Sequence, residues 1–147
     1  MKKIVFGLVA AWLTFNLVAV EGEWLTDLPK AMTQAKESKK LVLLDFTGSD
    51  WCPPCKALHK NVLTSKEFSA FAKDNLVLVE VDFPRTKKQP SELKKANHEL
   101  QTKYSVDGYP TIIVLDPNGK ELSKQVGYDG KTSAADYVAS LKKKLNK

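Results

Sequence analysis

Apolar and polar positions along this chain follow two different periods, and the alternation between them outlines the fold. Leu41-Val42-Leu43-Leu44-Asp45-Phe46 and Leu76-Val77-Leu78-Val79-Glu80-Val81-Asp82 are nearly continuous apolar runs of strand length. That is the pattern of strands buried on both faces of a sheet covered by helices. Around them the period is helical. Leu28, Ala31, Met32 and Ala35 recur at i, i+3, i+4 and i+7, one buried face of a helix ending near Lys39, with Asp27 as N-cap and Pro29 in its first turn. Glu23–Thr26 before it is a short edge strand. Cys55, Leu58 and Val62 share an inward stripe on a helix from Pro53 to about Leu63. Thr64-Ser65 breaks that helix before Glu67–Asp74, where Phe68, Phe71 and Ala72 face the core. Strand, helix and strand in this order predict a right-handed parallel crossover.

The second half changes topology. A basic loop bracketed by prolines, Phe83–Pro90, precedes a helix with Ser91 as N-cap and Leu93, Ala96, Asn97, Leu100 and Tyr104 along one side. Thr111–Leu115 and Glu121–Val126 flank Asp116-Pro117-Asn118-Gly119-Lys120, and Asn-Gly between two strand-like runs is a strong hairpin signal. Ala134, Tyr137, Val138, Leu141 and Leu145 then form the stripe of a last amphipathic helix. The elements predict one α/β domain, a central mixed sheet flanked by helices, which suits a chain of 147 residues.

The N-terminus stands apart from this pattern. Lys2 and Lys3 precede an apolar stretch from Ile4 to Val20, broken by Thr14 and Asn16 and closed by Glu21-Gly22-Glu23. This predicts a signal peptide over residues 1–22 and a domain over 23–147, exported to a periplasmic or secreted location. The rival reading, an uncleaved anchor, fits less well, because the run is short and polar in its middle for a membrane span. No membrane insertion is expected after cleavage. The formal net charge of +6 is spread over lysine pairs and triplets along the chain. Nucleic-acid binding would want a clustered basic face with interleaved aromatics, so it is not expected.

The candidate chemistry lies in Asp50-Trp51-Cys52-Pro53-Pro54-Cys55-Lys56, which holds both cysteines of the protein. Pro53 fits the first helical position and puts Cys52 at the N-cap, beside the positive end of the helix dipole. A thiol placed there loses its proton more easily, and the thiolate is the attacking species in disulfide exchange. Cys52 is therefore the nucleophile. Cys55, one turn on, is positioned to attack a mixed disulfide on Cys52 and release the partner. A purely structural bridge over two intervening residues would restrain the unfolded chain little. His59 and His98 do not follow zinc-finger spacing with the cysteines, and no metal is expected.

Trp51-Cys52-x-x-Cys55-Lys56 after an apolar strand, with Gly108-Tyr109-Pro110-Thr111 downstream, resembles the thioredoxin family. The stretch Asp45–Cys52 is similar to its secreted bacterial members. The resemblance runs from about Trp24 to the C-terminus and implies the thioredoxin fold. It also implies a role for each matching residue. Asp45, a carboxylate inside an apolar strand, exchanges a proton with Cys55; the alternative is that it bonds loop amides near Thr47 and Gly48. Pro110 is cis and faces the Cys52–Cys55 redox-active disulfide. Tyr109 offers its backbone to an extended substrate segment, while Trp51 and Gly127 border the groove. Lys60 stands where many thioredoxins have a helix-kinking proline, so any kink falls elsewhere. Phe83–Tyr104 is longer than the family's usual crossing, either as a rim over the active site or as a solvated loop.

Pro54, where strong oxidants and isomerases carry His, points to a reductant. The expected activity is reduction of protein disulfides without a cofactor, by a monomer acting on disulfide-containing protein substrates and recharged by a membrane-bound electron donor. The alternatives are a disulfide oxidase or isomerase, or a copper-handling or folding-helper protein using Cys52, Cys55 and His59 without turnover.

Overall fold

The computed structural model describes residues 23–145, so the expected signal segment lies outside the described residues. Its strands are β1 (Trp24–Leu25), β2 (Leu41–Thr47), β3 (Leu76–Asp82), β4 (Thr111–Leu115) and β5 (Glu121–Val126). They form one mixed sheet in the order β1-β3-β2-β4-β5. β3 pairs in parallel with both β1 and β2, whereas β4 runs antiparallel to β2 and β5. This is the mixed sheet that the order of elements predicts, in the thioredoxin fold that the resemblance implies. The two apolar runs became its parallel centre because only a strand covered on both faces tolerates so little polar alternation.

Alternation along β2 divides the core. Val42, Leu44 and Phe46 pack in one cluster with Ala31 and Ala35 of α1 (Leu28–Ser38), whereas Leu43 joins the opposite cluster. That second cluster holds Leu58, Val62, Phe68 and Tyr137. Phe46, Leu43, Leu44 and Phe68 are fully buried, and each contributes roughly 1.5–3 kcal/mol by leaving water. With a side-chain period of two, Asp45 shares the face of Leu43, the face on which the cysteine-bearing helix lies.

The helices begin and end where their residues dictate. Asp27 caps α1 by accepting the Lys30 amide at 2.9 Å, and Lys39 closes it in the left-handed region. The cysteine helix α2 is short, Pro53–Leu58, and continues as a π-helical turn over His59–Leu63 in which the Thr64 amide reaches back to the His59 carbonyl at 3.1 Å. The predicted extent to Leu63 is right, but the winding is not regular. The extra residue in that turn re-phases the chain so that Val62 and Leu63 are both buried. Ser65 then caps α3 (Lys66–Asn75), accepting the Phe68 amide at 3.1 Å.

One expectation of the second half needs adjustment. α4 runs Ser91–Lys103 with Pro90, not Ser91, at the cap, and no side chain caps it. Its anchor is Asn97, buried, whose amide nitrogen donates to the Asp82 carbonyl at the end of β3 at 2.9 Å. The hairpin closes as predicted, with Gly119 at φ +88° and the Asp116 carboxylate accepting the Asn118 and Lys120 amides. α5 (Ala134–Leu145) packs Tyr137, Val138 and Leu141 inward. Among the described residues, no helix is long and apolar enough to cross a membrane.

Candidate active site

The cysteines sit at the C-terminal end of β2, where Gly48 turns the chain. The Gly48 carbonyl accepts the amides of Trp51 at 3.2 Å and Cys52 at 2.9 Å. A β-carbon at Gly48 would meet the Trp51 indole at 2.5 Å, so only glycine lets that ring lie against the turn. Cys52 then caps α2 in extended conformation, followed by Pro53 in the first helical turn.

Cys52 and Cys55 are joined as a disulfide. Burial does not separate the two sulfurs, since each residue is 3% exposed; the inward orientation expected for Cys55 holds equally for Cys52. Chemistry separates them. The Cys55 amide donates to the Cys52 Sγ at 3.3 Å, the hydrogen bond that an N-cap thiolate would keep. Pro53 and Pro54 carry no N–H, and the Lys56 amide is taken by the Cys52 carbonyl at 3.1 Å. In this first turn, one amide alone points at the Cys52 sulfur.

Below the cysteines is a cavity of 280 Å³ lined by Asp45, Cys55, Lys56, His59, Glu80 and Lys87, with Thr47 and Ser49. Asp45 is 5% exposed and its Oδ1 has no hydrogen-bond partner. Burial, reinforced by the charges of Glu80 and Asp82, raises its pKa to about 7. Glu80 is its register partner on β3 and is itself raised by burial and by Asp82, while His59 and Lys87 pull the other way. The Tyr137 hydroxyl, also buried and without a partner among the described residues, is pushed well up, by burial and then by the charge of Asp45. The alternative, in which Asp45 bonds loop amides near Thr47 and Gly48, finds no such bond at Oδ1; the Ser49 amide and hydroxyl, next in the loop, donate to Asp82 at 2.9 Å and 2.6 Å.

An aromatic cluster adjoins the motif at Trp51. Trp51 and Tyr109 meet edge to face at 5.9 Å, and Phe83 packs tilted on Tyr109 at 5.1 Å. The Tyr109–Pro110 peptide is cis. The Pro110 carbonyl accepts the Gly127 amide at 2.8 Å, Gly127 stands at φ +78°, and Thr111 ties the turn by donating to the Gly108 carbonyl at 2.7 Å. The structure thus brings together Trp51, Tyr109, Pro110 and Gly127 as one border, and sets Asp45 and Cys55 around a separate cavity.

Sequence reasoning missed the residue that ties the long loop to this site. The Asp50 carboxylate accepts the amides of Arg85, Thr86 and Lys87 and the Thr86 hydroxyl, the last at 2.6 Å. These bonds hold Asp50 well below the usual carboxylate range, the Thr86 hydroxyl most of all. The Trp51 indole N–H donates to the Phe83 carbonyl at 2.8 Å, and the Arg85 guanidinium lies 3.7 Å above the Trp51 ring. Phe83–Pro90 is therefore a rim fastened to the active site. The available signal was an Asp directly before Trp-Cys, of a type that accepts several amides at once.

Comparison with known proteins agrees with this geometry. A family model described as a thioredoxin-like domain matches residues 28–143. The chain is 40% identical over 132 residues to Disulfide bond reductase DsbH of Chlamydia pneumoniae, covering 90% of this chain and 78% of that one. Thioredoxin-related protein DsbJ of the same organism is 30% identical over 118 residues, but this chain spans 34% of its length. A solved structure titled DsbH Oxidoreductase superposes with a TM-score of 0.79 at 35% identity, covering 90% of each chain. Matched by that family model over most of its length and carrying the Cys52–Cys55 disulfide, the chain belongs to the thioredoxin-like family and is a thiol-disulfide oxidoreductase.

Proposed function

We propose that this oxidoreductase works as an exported reductase of protein disulfides. The observation that carries the direction is the first turn of α2, where Pro53 and Pro54 leave the Cys55 amide as the one N–H directed at the Cys52 sulfur. A thiolate with fewer donors is less stabilised, so the dithiol gives up its electrons more readily. The name of the 40% identical relative, a disulfide bond reductase, supports the same direction. Export is supported by the basic, apolar and polar succession over residues 1–22.

In this reading the Cys52 thiolate attacks one sulfur of a substrate disulfide and expels the other as a thiolate, leaving a mixed disulfide. Cys55 gives its thiol proton to the Asp45 carboxylate and attacks the Cys52 sulfur. The Cys52–Cys55 disulfide forms, the substrate's second sulfur leaves, and two electrons have passed to the substrate. A pKa of about 7 lets Asp45 take that proton at neutral pH. Trp51, Tyr109, Pro110 and Gly127 border the cleft, and the backbone at Tyr109 pairs with the extended substrate segment. A membrane-bound electron donor returns the pair to the dithiol.

The test is a trapping experiment with turnover beside it. Reduced protein reduces a protein disulfide, Cys52→Ala is inactive, and Cys55→Ala accumulates as a mixed disulfide with substrate. A Cys55→Ala protein that binds no substrate covalently contradicts the exchange mechanism. A wild type that forms disulfides in a reduced client, while failing to reduce any, contradicts the direction.

A further inference from the structure

On the side of the Asp50-fastened rim lies a groove of 330 Å³ lined by Arg85, Lys87, Lys94 and His98 over Phe83 and Gln89, and among the described residues no acidic side chain lines it. We propose that this groove is a subsite for acidic side chains of the polypeptide whose disulfide Cys52 attacks; the proposal rests on the exchange mechanism above. Three features carry it.

The first is position. The Phe83 ring that floors the groove packs on Tyr109 at 5.1 Å and meets His98 edge to face at 5.3 Å. The groove is therefore continuous with the aromatic border of the cysteine pair, and a segment lying along Tyr109 runs into it. The second is charge. Arg85 is spread over the Trp51 ring at 3.7 Å, and Lys87 and Lys94 stand beside it. The Asp50 carboxylate is taken up by the loop amides. Lys87 is shared with the Asp45 cavity, where it acts on Glu80 and donates to the Ser49 hydroxyl at 3.2 Å, which leaves Arg85 and Lys94 as the groove's own cations. A guanidinium fork and an ammonium group lining one space, with a second ammonium at its edge, recognise carboxylates. The third is preorganisation. The hydrogen bonds of Asp50 hold the backbone at Arg85, Thr86 and Lys87, so these cations are presented without the entropy of ordering a loop. The groove reaches from the loop to α4, which suits successive acidic side chains on an extended polypeptide better than one small anion.

The test uses the reduced full chain and two disulfide peptides that differ only in flanking residues, Asp and Glu in one and Lys in the other. At low ionic strength the acidic peptide is expected to be reduced about 3- to 10-fold faster, as a few exposed charge pairs allow. That ratio should fall toward one at about 0.5 M salt, where screening is short-ranged. In a Lys87→Glu/Lys94→Glu variant the ratio should drop below one.

A wild-type ratio near one at low salt overturns the proposal, and so does a preference that survives in the variant, which would place its source elsewhere on this basic protein. Glutathione disulfide outpacing the acidic peptide would assign the groove to small anions and overturn the polypeptide reading. Should the variant fail to fold, the wild-type ratio and its salt dependence decide. Should neither peptide be reduced, the reductase reading fails by itself. The groove is then judged on the oxidised chain, by titrating its tryptophan emission with Ser-for-Cys versions of both peptides; equal affinities overturn it.

Discussion

Two carboxylates five residues apart, Asp45 and Asp50, both precede the cysteine pair and have opposite surroundings. Asp45 lies inside an apolar strand, is buried, and leaves Oδ1 without a partner. Asp50 begins the motif, is half-buried, and accepts three backbone amides and a hydroxyl. Burial drives the first toward its neutral form, and hydrogen bonds drive the second toward its charged form. One side chain type thus gives, in the proposed mechanism, a proton acceptor near neutrality and, on the other side of the same turn, an anion that fastens a loop. An unsatisfied buried carboxylate is costly, and it sits where proton exchange with a thiol would use it.

The largest effect is expected from Asp45→Asn. Removing the proton acceptor should slow resolution of a mixed disulfide on Cys52 by about 100-fold, the scale of general-base catalysis, while the initial attack changes far less. Stopped-flow mixing with a substrate disulfide separates the two phases. Equal slowing of both would mean that Asp45 holds the site's shape and does not manage a proton.

The same substitution has a signature in stability. An aspartate ionises near 3.8 in the unfolded chain and about 7 in the folded one, so between these values the folded state binds more protons. Stability from this group is full below about pH 4 and is lost as pH rises through about 7, on the order of 4 kcal/mol. Denaturant melts at pH 5 and pH 8 should therefore converge in Asp45→Asn and differ in wild type. A wild type equally stable at both values contradicts the elevation. Glu80→Gln sharpens the point: it should move the Asp45 midpoint downward, by less than burial had raised it, because the charge of Glu80 ranks second to burial.

Asp50→Ala reports on the other carboxylate. Freeing the amides of Arg85, Thr86 and Lys87 should speed their hydrogen exchange by about 10-fold or more, with slight change in the resolution rate. Since hydrogen bonding holds Asp50 low, the fastening should persist as pH falls through the ordinary carboxylate range and loosen below it. Rapid resolution lost in Asp50→Ala would merge the two roles that the structure separates. The smallest effect belongs to Arg85→Ala, which removes a cation from the Trp51 ring, a contact of about 0.5–1 kcal/mol at an exposed site. It should alter tryptophan emission and leave the rim in place.

The two carboxylates also mark the limit of what the sequence discloses. Asp45 was legible because a charge inside Leu44-Asp45-Phe46 violates the local pattern of a buried strand, and the strands, the Asn118-Gly119 hairpin and the α1 cap follow equally local rules. Asp50 violates nothing locally: its partners are 35 to 37 positions away, and only the folded chain brings them to it. The same holds for Arg85 over Trp51 and Asp82 on Ser49. The π-helical turn at His59–Leu63 escaped because its apolar spacing also fits a regular helix, and the five-residue hydrogen bond from Thr64 emerges only when Val62 and Leu63 both find the core. The equal burial of Cys52 and Cys55 was likewise hidden, since a cap position predicts chemistry and not exposure.

The most direct measurement for the reductase reading is the equilibrium reduction potential of the Cys52–Cys55 pair, taken on the full chain in defined thiol/disulfide buffers. A value near about −270 mV, the level of thioredoxin, is the expected result. A value near about −120 mV, the level of the strongest periplasmic oxidants, would contradict it and make this oxidoreductase a donor of disulfides despite Pro54.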